Sequence, residues 1–122
     1  MGNDSITVVK LHDILMVAMP SDPGDSTISA LQQRVLQMME KYVVRGFVLD
    51  ISAVETLDSF FARTVLETAK MVALMGGRMV VSGMRPSVAI TATQLGLTLG
   101  GTLTALDVDS AIALLDKGRS KR

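Results

Sequence analysis

The sequence predicts an α/β domain built on a mixed, mostly parallel sheet, and three observations lead there. Five short runs of apolar, often β-branched residues punctuate the chain. The longer stretches after the second run carry apolar residues at helical spacing. Only the first two runs are close enough for a hairpin, whereas the later ones are separated by helix-length segments that suit crossovers and parallel pairing. The implied order is β-β-α-β-α-β-α-β-α, with one domain over residues 1–118 and a short basic tail, RSKR, over 119–122.

Each element has its own signal. ITVVKL (6–11) and ILMVAM (14–19) flank His12-Asp13, a hairpin pattern, and the second run is apolar on both faces, as an inner strand should be. PSDPGD (20–25) is turn chemistry. Asp25 or Ser26 is expected to cap the first helix, whose apolar stripe is Ile28, Leu31, Val35, Met38 or Met39, and Tyr42. FVLDI (47–51), opened by Gly46, reads as a strand and SAVET (52–56) as a loop. The second helix starts near Asp58 and Ser59, buries Phe61, Val65, Ala69, Val72 and Met75, and stops at Gly76-Gly77. RMVVSGM (78–84) is the next strand. Pro86 suits a first helical turn, and SVAITATQL (87–95) runs to Gly96. TLTAL (102–106) is a last short strand, and Asp107 is expected to cap a closing helix that runs to Gly118. The expected sheet core is Val8, Leu15, Val17, Val48, Leu49, Val80, Val81 and Leu103.

Composition narrows the function. The 122 residues suit one core. Twelve basic and twelve acidic residues leave no electrostatic footprint for nucleic acid or an anionic membrane surface. Three phenylalanines and one tyrosine supply no stacking platform for bases. The absence of cysteine excludes thiolate metal sites and disulfides and fits a reducing cytoplasm. No secretory h-region precedes residue 14, and the longest apolar run is too short to span a bilayer. A cytoplasmic protein is expected.

Motifs that carry chemistry are few. There is no Walker loop, no GxGxxG and no GxSxG. The glycine pairs 76–77 and 100–101 lack a downstream Lys-Ser or Lys-Thr and read as helix stops and turns. His12 is the only histidine and falls in a tight turn, so neither a serine triad nor a histidine metal site has its parts. Met38, Met71 and Met75 fall on or beside apolar stripes and read as core filling. No metal, cofactor or catalytic group is expected. Asp50, Glu55 and Asp58 cluster after one strand, where open α/β sheets bind ligands. A hydrolase on those carboxylates lacks any supporting donor.

Ser59 remains. As a helix-start residue it has an ordinary reading, capping of free backbone N–H groups. It has a second one, because a helix N-terminus favours anions and a phosphoserine would add about −1.5 to −2 charges. Asp58, Glu55 and Asp50 already make this corner negative. A phosphate would then leave a partner-facing surface strongly anionic, able to dismiss a bound protein without unfolding the domain.

FVLDISAVETLDSFFART, residues 47–64, resembles the centre of a STAS domain, the family of anti-sigma-factor antagonists, with a strand ending in Leu-Asp, a short loop, and Asp-Ser opening a helix. VVSGMRPSVAITATQLGL (80–97) also resembles that family, with Gly-x-Arg-Pro after a strand and a helix ending in Leu-Gly. In the family the serine after the aspartate is the one a dedicated kinase phosphorylates, which implies Ser59 here. One departure is plain: Ser-Phe-Phe stands where many simple antagonists have Ser-Ser-Gly or Ser-Thr-Gly, so the partner surface must differ.

Together with its bare single-domain length, that departure makes the chain similar to the small scaffold members of the bacterial stressosome. The resemblance implies a non-enzymatic scaffold of general stress signalling. Its implied partners are a switch serine/threonine kinase of the RsbT type, RsbR-type STAS paralogues in a large assembly, and an RsbX-type phosphatase. The isolated chain is expected as a monomer or a homodimer. Asp50, Glu55, Asp58, Phe60 and Arg63 are the expected partner-binding residues, and Thr56 stands as a competing acceptor. The alternative is a ligand- or nucleotide-binding STAS regulatory module that uses the pocket beyond Asp50.

Overall fold

A computed structural model describes residues 6–95 and 102–120, with side chains through Lys117. The elements are β1 (Val8–Leu11), β2 (Ile14–Ala18), α1 (Asp25–Lys41), β3 (Gly46–Asp50), α2 (Ser59–Leu74), β4 (Arg78–Ser82), α3 (Pro86–Gln94), β5 (Leu103–Ala105) and α4 (Val108–Ser120). The expected order is the observed one.

The sheet runs β1-β2-β3-β4-β5, with β1 antiparallel to β2 and all later pairs parallel. Spatial order follows chain order, so each crossover steps the same way. Right-handed crossovers that step the same way all fall on one face. The main core forms there. Leu15, Val17, Phe47, Leu49, Met79 and Val81 from the sheet meet Ile28, Leu31 and Val35 of α1, Phe61, Val65 and Val72 of α2, and Val88 of α3.

The last helix takes the other face. Alternate strand residues Ile14, Val48 and Val80 point that way and meet Ala111 and Leu115 of α4. Gly46 makes the close approach possible: a Cβ there would lie 2.5 Å from Leu115 Cδ1. Arg45 ties the same contact down. Its Nε donates to Asp13 at 2.9 Å, its Nη1 to the Leu115 carbonyl at 3.0 Å, and its Nη2 to Asp116.

Several local expectations need correction. The α1 cap is Gly24, with no side-chain hydrogen bond, and Asp25 sits inside the first turn, where its charge complements the helix dipole. Tyr42 is the C-cap of α1 in extended backbone, so it leaves the buried stripe. Its ring lies 5.3 Å and 5.4 Å from the ammonium groups of Lys10 and Lys41. Met75 is likewise a C-cap and exposed, because α2 ends at Leu74 and Gly76 turns with φ +93°. Leu103 belongs to an edge strand and is exposed, and Val8 on the opposite edge is only half-buried. The closing helix continues past Gly118 to Ser120, into the stretch expected as tail. The stops at Gly96 and Gly100-Gly101 lie outside the described residues.

Other expectations hold. His12 is an exposed turn residue with φ 56°. Pro86 opens α3. Asp107 precedes α4 and accepts from Ser110 N at 2.8 Å, a hydrogen bond that holds its carboxyl below the usual carboxylate range. Among the described residues no helix is long and apolar enough to cross a membrane.

Candidate functional site

The segment between β3 and α2 carries the candidate switch, and its fixed shape starts in the core. Val54 and Leu57 are buried anchors on either side of exposed Glu55 and Thr56. Backbone hydrogen bonds from Ile51 to Ser82 and from Glu55 to Ser21 tie the segment to β4 and to the turn after β2. Leu57, Phe61 and Ala62 then line one apolar site with Ile51, Val65, Val81 and Met84. A hydrophobic residue just before the cap, packed beside the first turns, sets the entry angle of the helix.

Asp58 is the cap of α2: its Oδ1 accepts from Phe61 N at 2.8 Å. The two readings of Ser59 therefore separate. Ser59 is the first helical residue, exposed, and its hydroxyl makes no hydrogen bond with any described residue. Asp58→Ala is expected to cost about 1 kcal/mol by loss of the cap, measurable by urea denaturation. Ser59→Ala should change stability by a few tenths at most, as exposed sites without special geometry do.

The other expected site residues fall into two groups. Glu55 and Arg63 are exposed and Phe60 is half-buried, its ring packed against the main core. Asp50 is turned to its own chain: its carboxylate accepts from Ser52 N at 3.1 Å, from Ser52 Oγ at 3.2 Å and from buried Ser82 Oγ at 3.5 Å. Its charge stays at the corner, but its geometry first shapes the loop. Among the described residues no three carboxylates or histidines converge closely enough to hold a metal ion, Asp50, Glu55 and Asp58 included.

Sequence reasoning missed the residues that hold this loop from the β4 side. Arg85 Nε donates to the Ser52 carbonyl at 2.8 Å. Gly83 adopts φ +77°, and a Cβ there would lie 2.8 Å from Ser52 Cβ and 3.0 Å from Asp50 Oδ1. Both belong to the Gly-x-Arg-Pro motif, whose glycine and arginine were the available signal. A cleft of about 320 Å³ opens beside them, lined by Asp50, Ser52, Gly83, Leu106, Asp107, Val108 and Asp109.

This fold and site define a class. A STAS domain model matches residues 5–111, and the chain belongs to the STAS domain family. Within it the chain is similar to the stressosome protein RsbS: a serine-to-glutamate form of RsbS from Moorella thermoacetica superposes with a TM-score of 0.85 at 30% identity, over 94% of this chain and 97% of that one. A chain from the stressosome, described as a signal integration and transduction hub, superposes with a TM-score of 0.78 at 31% identity, covering 95% of this chain and all of that one. The RsbT co-antagonist protein RsbRC of Bacillus subtilis (strain 168) is 27% identical over 106 residues, 87% of this chain. This chain spans only 38% of the length of that relative.

Proposed function

We propose that this protein is a non-enzymatic, cytoplasmic stressosome scaffold and antagonist. It holds a switch serine/threonine kinase of the RsbT type and releases it once Ser59 is phosphorylated. RsbR-type STAS paralogues are its partners in a large assembly, and an RsbX-type phosphatase resets the serine. The observation that carries this reading is the exposed Ser59 hydroxyl on a helix start whose cap is already supplied by Asp58.

The mechanism is electrostatic. A phosphate on the first helical residue meets the unpaired N–H groups and positive dipole end of α2, so the domain tolerates it. A docked partner meets the same dianion beside Glu55 and Asp58, and an acidic or desolvated contact surface is repelled. Phe60 and Arg63, one and four residues beyond Ser59, provide apolar and cationic contact on the same helix start. Incubation with a cognate kinase and ATP is expected to add one phosphate, and peptide mapping by mass spectrometry should locate it at Ser59. A phosphate at Thr56 instead would overturn the assignment.

The alternative, a nucleotide-binding module, draws no support from the cleft beyond β3. Asp50, Asp107 and Asp109 line it, and the Ser110 hydrogen bond lowers the Asp107 carboxyl further below the usual carboxylate range. Three carboxylates repel phosphate groups, and the Ser52 N–H is already committed to Asp50.

A further inference from the structure

The α4 face of the sheet is covered unevenly. Ala111 and Leu115 of α4 pack on Val48 and Val80, but at the hairpin Val9 stays 47% exposed. The gap between the hairpin and the first turn of α4 is a groove of about 290 Å³, with apolar walls from Val9, Met16, Ala18, Val48 and Val108. Asp50 lines it as well. Asp50 and Val108 also line the cleft of about 320 Å³ that holds Asp107 and Asp109. The two spaces therefore adjoin, one apolar and one acidic. We propose that together they bind a small organic cation with a hydrocarbon tail, a primary alkylamine, with its ammonium in the acidic cleft and its tail in the groove.

Charge complementarity selects the head group. None of the three carboxylates forms a salt bridge with a described residue. Among the described residues Asp50 accepts from Ser52 N, Ser52 Oγ and Ser82 Oγ, and Asp107 from Ser110 N. A carboxylate has about four acceptor positions, so both keep at least one. Arg85 gives its Nε to the Ser52 carbonyl and does not line the cleft. The positive end of the α4 dipole, about half a charge, does not offset three negative ones. The acids do not gather closely enough to hold a metal ion. An ammonium needs less: one or two of them accept from its three N–H donors, and the rest act through their field.

The groove selects the tail. Its volume is at the low end for a small-molecule site, and at roughly 30 Å³ for each water-sized group it takes a chain of about eight carbons. The apolar part and the acidic part each occur once and side by side, the pattern of a single amine with one tail. The same carboxylates that turn away phosphate groups select the cation. The site faces α4, whereas α2, which Ser59 opens, packs on the other face of the sheet, so the inference stands apart from the kinase reading.

Titration of the native chain with butylamine, hexylamine and octylamine, followed by amide NMR, is expected to shift signals of residues 7–9, 16–18, 48–50 and 107–109. Affinity should rise by about fourfold for each methylene that enters the groove. Hexanol and hexanoate separate tail from head. Hexylamine should bind about tenfold tighter than hexanol, the worth of one charge-assisted hydrogen bond, and hexanoate should not bind. The double variant Asp107→Asn, Asp109→Asn should lose the amine preference and keep the hexanol affinity, because asparagine still caps α4. Ala18→Leu, at an exposed position on the groove wall, should weaken octylamine more than butylamine. Circular dichroism should be unchanged in both variants. Equal binding of the three six-carbon compounds overturns the proposal, as does an amine preference that survives the double variant. So do shifts confined to other parts of the domain, no shift up to about 10 mM amine, or saturation by a lysine-containing peptide with which the amines do not compete.

Discussion

Ser59→Asp is expected to weaken binding of an RsbT-type kinase by roughly a hundredfold, close to 3 kcal/mol, the scale of a like charge placed in a protein contact. The melting temperature should stay within about 2 °C of the native chain, since an exposed substitution is worth about 0.5 kcal/mol or less. The reason is positional. Asp58 already caps α2 through Phe61 N, so Ser59 can change charge without releasing a structural bond. An aspartate carries one charge where a phosphate carries nearly two, so true phosphorylation should act more strongly. Calorimetric titration of the kinase and thermal denaturation of the variant measure the two halves. Unchanged affinity would remove the electrostatic release, and a large drop in melting temperature would return Ser59 to a structural role.

Phe47→Ala is expected to have the opposite profile. Phe47 is fully buried near the start of β3, on the main-core face of the sheet. Removing a buried phenyl ring costs about 3–5 kcal/mol, a large share of the 5–15 kcal/mol that holds a domain together. A fall of about 10–20 °C in melting temperature follows for a chain of this size. At low temperature, where the variant remains folded, phosphorylation of Ser59 should proceed at close to the native rate, because the acceptor lies on the surface at the far end of the strand. A variant that folds but is not labelled would show that the switch depends on the packing beneath it. Together the two substitutions test whether the switch and the core are energetically separate.

Much of the fold was legible in the residues. Strands with continuous apolar runs, such as Phe47–Leu49 and Met79–Val81, are inner strands whose two faces both meet helices, and that burial is what makes the runs continuous. The misassigned positions sit where an element ends. Tyr42 and Met75 continue a helical spacing by count, yet each follows the last helical residue, so periodicity no longer determines its direction. Leu103 carries a core-type side chain on an edge strand, and edge position cannot be read from residue type. At the candidate site, the Asp58-Ser59 pair was visible, but not which of the two would cap. Arg85 and Gly83 belong to a visible motif, but its role is not legible there, because their partner Ser52 is on a different loop.

By itself the sequence determined the order of strands and helices, the mostly parallel sheet, and an acidic helix start bearing a hydroxyl. These depend on spacing, turn chemistry and connection length, all of which act over short stretches of chain. Only the tertiary structure decided that Asp50 turns inward to Ser82, that Arg45 fastens α4 beside Gly46, and that α4 leaves the β1 edge open. Each of those depends on groups distant in sequence meeting within a few ångströms, and such meetings are selected by the packing of the whole core rather than by any local preference.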